Sequence, residues 1–114
     1  MVALLAYCVL GLSAEAGARD DAWALAEMWQ PIEISVEPDG LTIVLPQRRV
    51  TQQIYLAILQ AGLCLGPLLD RPISDVGDVR ILNQFARQGF VFEGNLADCY
   101  SLSEIEILGV THAY

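Results

Sequence analysis

The sequence predicts an α+β domain: a mainly antiparallel sheet of about five strands, in ββαβββ order, with one long helix packed on one face. Three observations carry that expectation. Ile32, Ile34 and Val36 alternate with Glu33, Ser35 and Glu37, the period-two pattern of a strand with one wet face. Pro38-Asp39-Gly40 then suits a type I turn closed by a glycine bulge, and Leu41–Leu45 follows as an apolar return strand. Finally, Val50, Ile54, Ala57, Ile58, Ala61 and Leu65 recur at helical spacing, with Tyr55, Leu59 and Gly62 widening the stripe.

The elements in chain order begin with Val2–Leu12, an almost unbroken apolar run. It is shorter than the roughly 20 residues that a membrane-spanning helix needs, and it matches the apolar region of a signal peptide. A small-residue tract follows and offers Ala16-x-Ala18 as a cleavage site, although no Lys or Arg precedes the run. Residues 1–18 are therefore read as a signal peptide, with a buried first strand as the alternative, and residues 19–114 as a single α+β domain. If residues 1–18 are kept, the front of the chain reads βαββαβ, a ferredoxin-like layout. Asp20-Asp21 can cap a short helix whose Ala22, Leu25, Ala26 and Trp29 share one face. Trp23 falls off that stripe and is expected to be partly exposed, and Pro31 stops the helix.

The alternating strand belongs near an edge of the sheet, and the apolar return strand inside it. Pro46 ends that strand, and Gln47-Arg48-Arg49 forms a polar bridge. Thr51 is a good N-cap for a helix reaching to about Ala61, with Gly62 as its C-cap and Gly66-Pro67 barring continuation. Leu68–Asp78 reads as a surface loop. Val79–Leu82 and Phe90–Glu93 are expected strands joined by Asn83–Gly89. A last strand is expected at Ile105–Leu108, with Ile105 and Ile107 facing in and Glu104 and Glu106 facing out.

Composition narrows the function classes. The 114 residues are 54% hydrophobic, ample for a core, and carry 6 Lys+Arg, all of them Arg, against 14 Asp+Glu, so the net charge is 6 − 14 = −8. That balance argues against a nucleic-acid partner or an anionic membrane surface. The acids are scattered, as a solvated surface would have them. No glycine-rich phosphate loop, nucleophile elbow, CxxC pair or calcium loop occurs, so no catalytic residue, metal site or cofactor is expected. His112 is the lone histidine; a thiol enzyme would have to set it against Cys64 or Cys99.

Two groups of residues remain. Export with cleavage would remove Cys8 and leave Cys64 and Cys99 as an even pair, which a disulfide framework requires. Free buried thiols are the alternative inside a cell. Asn83, Gln84, Phe85, Arg87 and Gln88 set polar groups around an aromatic at a hairpin tip, and Arg48 and Arg49, in the other connection, could add donors for a carboxylate. Ordinary turn chemistry is the alternative reading of that set. The expectation is a small exported, non-enzymatic domain, periplasmic or secreted, that binds another protein or a ligand and has no stable membrane anchor. The competing expectation is an intracellular acidic interaction protein, an inhibitor or assembly subunit, that uses the whole chain and dimerises through an exposed sheet edge.

Overall fold

The computed structural model describes residues 17–73 and 76–114. The apolar run and small-residue tract through Ala16, read above as a signal peptide or first strand, lie outside the described residues.

Helix α1 (residues 17–26) tightens into a 3₁₀ turn at Glu27–Trp29, and Gln30, left-handed at φ 53°, ends it ahead of Pro31. Ala22, Leu25 and Ala26 are buried on the expected face, while Trp23 and Trp29 pack half-buried against the core. Asp20 and Asp21 do not cap this helix, because the backbone is already helical at residue 17. Asp21 instead pairs with Arg71 at 3.1 Å.

The sheet has five strands in sequential order: β1 (Glu33–Glu37), β2 (Gly40–Val44), β3 (Asp78–Leu82), β4 (Gly89–Phe92) and β5 (Thr111–Ala113). Three of its four pairings are antiparallel, so the mainly antiparallel α+β class holds. As expected, β1 is an edge strand and β2 lies inside, between β1 and β3. Ile32 stays outside β1 and is exposed.

The pair β2–β3 is parallel. Parallel neighbours need a crossover, and helix α2 (Gln52–Gln60) supplies it. This direct pairing closes the gap between strands that a split βαβ arrangement requires, so the ferredoxin-like alternative fails. It also explains Gly40. The turn is a tight two-residue loop over Pro38-Asp39, closed by Glu37 opposite Gly40, and Gly40 does not take a positive φ as a bulge would require. A Cβ there would stand 2.5 Å from the carbonyl oxygen of Asp78, its partner on β3. At Gly77, with φ 77°, a Cβ would stand 2.7 Å from the Asp39 carbonyl oxygen, and this residue does need left-handed freedom.

Helix α2 starts where expected: Thr51 accepts a hydrogen bond from the Ile54 N–H at 3.2 Å. It spans nine residues and ends on Ala61, so Gly62 is not its C-cap but leads into a 3₁₀ turn at Leu63–Leu65. Its buried face is Tyr55, Leu56, Ile58 and Leu59. Ile54 and Ala57 sit at the margin and Ala61 is exposed, so the helix is rotated from the predicted stripe. These side chains meet Ile34, Leu41, Ile43, Val79, Ile81 and Phe92 in one core. Tyr55 also packs its ring 5.2 Å from that of Phe90.

The expected last strand at Ile105–Leu108 is a helix, α3 (Glu104–Gly109), and the strand comes later, at β5. Ser103 and Glu106 form a reciprocal capping box, with Oγ accepting from the Glu106 N–H at 3.2 Å and Oε1 from the Ser103 N–H at 3.1 Å. Ile107 is buried, but Ile105 is 82% exposed, as helical spacing requires and a strand would forbid. The order after α1 is thus ββαββαβ.

Cys64 and Cys99 are joined in a disulfide with their Cα atoms 5.2 Å apart. The bond ties the turn after α2 to a 3₁₀ turn at Cys99–Ser101 after β4. In the chain-entropy account, closing a 35-residue separation contributes about 4 kcal/mol.

Candidate functional site

The two connections singled out in the sequence meet at one end of the sheet. The Gln47 carbonyl accepts from the Gln84 N–H at 2.9 Å. The Asn83 Nδ2 donates to the Arg48 carbonyl at 2.9 Å. The Gln88 side chain grips Val50 on both sides, accepting from its N–H at 2.7 Å and donating to its carbonyl at 2.8 Å. A side-chain amide there does what a neighbouring strand would do.

Asn83 is the centre of this clamp and, among the described residues, the one buried polar residue beside the core. Its Oδ1 accepts from the N–H groups of Arg87 (2.9 Å) and Gln88 (3.1 Å), and its backbone closes the tip through Gln88 and Ala86. With donor and acceptor both engaged, Asn83 acts by shaping the tip. Gln88 does the same for the other loop. Ala86 is held left-handed at φ 55°, where a non-glycine residue costs about 1 kcal/mol. The Oε1 of Gln47 is buried without a hydrogen-bond partner among the described residues.

What the clamp leaves on the surface is Arg48, Arg49 and Arg87, with Phe85 62% exposed among them in sequence. Two other arginines are paired, Arg71 with Asp21 and Arg80 with Asp39, each at 3.1 Å. Among the described residues, none of the three arginines at this end makes an ion pair. Residues 40–69 and 79–92, which contain the whole clamp, hold no Asp or Glu. The structure therefore brings Arg48, Arg49, Asn83, Gln84, Phe85, Arg87 and Gln88 to one end, and divides them into a frame (Asn83, Gln88 and the Gln84 backbone) and a surface.

The sheet face turned away from the helices opens on a groove of about 470 Å³. Glu33, Ser35 and Glu37 form one wall, and Arg80, tied to Asp39 and to Thr42 Oγ1 at 3.2 Å, lies across its floor. Ala86 and Tyr114 close it next to the arginine end. A second hollow, about 250 Å³, lies by Gly77, Asp78, Glu93 and Asn95.

The disulfide consumes the thiols of Cys64 and Cys99, which removes the pairing of either with His112. His112 Nδ1 instead lies 3.0 Å from Glu93 Oε1, with both side chains half exposed. Among the described residues, no three His, Cys, Asp or Glu side chains converge as a metal site would require. No described helix is long and apolar enough to cross a membrane. The Tyr55 phenol, fully buried, is pushed up from 10.0 to about 12 by burial. Thr111 Oγ1 donates to the Ile107 carbonyl, so Tyr55 is the donor in their 2.6 Å contact. That chain pins α2 to β5 at the margin of the core.

No family model matches this chain, and neither a curated protein nor a solved structure is similar to it.

Proposed function

We propose that this chain is a small exported domain that works by binding another protein through the arginine end, and not by catalysis. The observation that carries the reading is the amide clamp, which holds two loops together and leaves exposed a phenylalanine and three arginines that make no ion pair among the described residues. Pre-formed loops lose little freedom on binding, and Arg and aromatic side chains carry much of the energy of protein interfaces. The Cys64–Cys99 bond supports an oxidising compartment outside the cytoplasm. The test is an intact mass under non-reducing conditions after expression from the native start in a bacterium. A product beginning at Arg19 and lacking two hydrogens supports export. A full-length, reduced product overturns it.

One observation favours the intracellular alternative. Cleavage after Ala18 would trim the start of α1, where Ala18 packs partly against the core. Under that alternative the dimer would need a different surface from β1. Antiparallel self-pairing about Ser35 would set Glu33 of one copy against Glu37 of the other, and directly opposed like charges destabilise a strand pair.

A further inference from the structure

Deepening the binding reading above, on which it rests, we infer that the arginine end recognises a short acidic peptide segment of its partner, with Phe85 as the apolar anchor and the guanidinium groups of Arg48, Arg49 and Arg87 pairing with carboxylates. The charge distribution selects this ligand. The clamp residues carry three arginines and no acid, so the rest of the chain holds 3 Arg and 14 Asp+Glu, or 3 − 14 = −11. A small basic end stands on a strongly acidic body.

A polyanion as long as a nucleic acid, with a charge about every 1.7 Å, would have to run off that end across the acidic body. A segment bearing a few carboxylates can stay within one Debye length, about 8 Å, of the arginines. It then meets less of the repulsion than a long polyanion does. Guanidinium groups present planar donor pairs that match a carboxylate, and they are less strongly hydrated than ammonium groups. Phe85 adds what a purely ionic contact lacks. It is exposed, and it is carried on a tip whose backbone is fixed by Asn83 on one side and Gln88 on the other. The partner segment should therefore alternate acidic with aliphatic residues.

The experiment follows backbone amide shifts of the whole protein titrated with a short capped peptide of alternating Glu and Leu. Its Lys and Leu counterpart and a short single-stranded DNA of equal charge serve as rivals. The expected result is saturable movement of amides in residues 47–50 and 84–88 with the acidic peptide alone, weakening with added salt. F85A should bind about tenfold more weakly while keeping the salt dependence. The variant R48E/R49E/R87E, which alters only exposed side chains, should lose the acidic peptide and gain the basic one, a switch that simple loss of folding cannot produce. Silence at both loops with the acidic peptide, equal or tighter binding of the DNA, or a charge-reversed variant that does not switch would each overturn the inference. Export is judged separately by the intact mass, so a failed titration on a processed, disulfide-bonded product removes the acidic ligand alone.

Discussion

In the helical layer, the Cys64–Cys99 bond ties distant segments together between two buried side chains. At the arginine end, Asn83 and Gln88 tie equally distant segments by side-chain amides whose hydrogen bonds are part-buried, in loops that border solvent. Both ties span more than thirty positions, with separations of 35 for the disulfide and 38 for the Gln88 clamp. Their consequences differ because their surroundings differ. The first tie is embedded in apolar packing, so breaking it taxes the whole fold. The second holds loops whose backbone groups can find water, so breaking it should free the tip before it opens the core.

The sharpest test of that contrast is the pair of substitutions C64A/C99A. Chemical unfolding should show a loss of about 4 kcal/mol, with amide exchange at the arginine end changed only in step with global stability. N83A should cost less, about 2–3 kcal/mol, because it strands two N–H groups and one carbonyl that partial solvation will satisfy. Its signature is local: exchange at the Arg87 and Gln88 amides should accelerate far more than at β2 and β3. Equal acceleration everywhere would abolish the distinction between the two ties.

A third test uses pH. The folded state holds the Tyr55 proton more tightly than the unfolded chain, whose phenol ionises near 10, so the unfolded state loses its proton first as pH rises. Stability from this group is therefore complete below pH 10 and falls away between pH 10 and about 12, by roughly 2–3 kcal/mol. Comparing thermal unfolding of the wild type with Tyr55→Phe across that window isolates it, since the variant should lack this component of the decline. The smallest effect belongs to the tip. Ala86→Gly relieves a left-handed alanine and should stabilise by no more than about 1 kcal/mol, offset by the added freedom of glycine in the unfolded chain. A marked destabilisation would mean that the Ala86 methyl, beside the groove, packs more than its position indicates.

Legibility followed the range of the interactions. The first hairpin, the Thr51 cap and the buried positions of α1 depend on neighbours within a few residues, and all could be read in the sequence. The helix at Glu104–Gly109 was equally local, since Ser103 and Glu106 stand at capping-box spacing. It was missed because Ile105 and Ile107 alternate with acids, which mimics a strand over so short a span. The candidate site was half legible. Its residue types stood out in both connections, but the division of Asn83 and Gln88 into frame and of Phe85 and the arginines into surface depends on contacts 35 and 38 positions apart.

By itself the sequence determined the α+β class, the edge and inner places of the first two strands, and the start of the main helix. These follow from periodicity, turn chemistry and capping, which act over a turn or two of chain. Only the tertiary structure decided that β2 and β3 run parallel, that Gly40 is required by a neighbouring strand's carbonyl, and that the two connections form one arginine-bearing end. Those outcomes depend on which segments pack together, and no local pattern encodes the partner that a backbone group will find across the sheet.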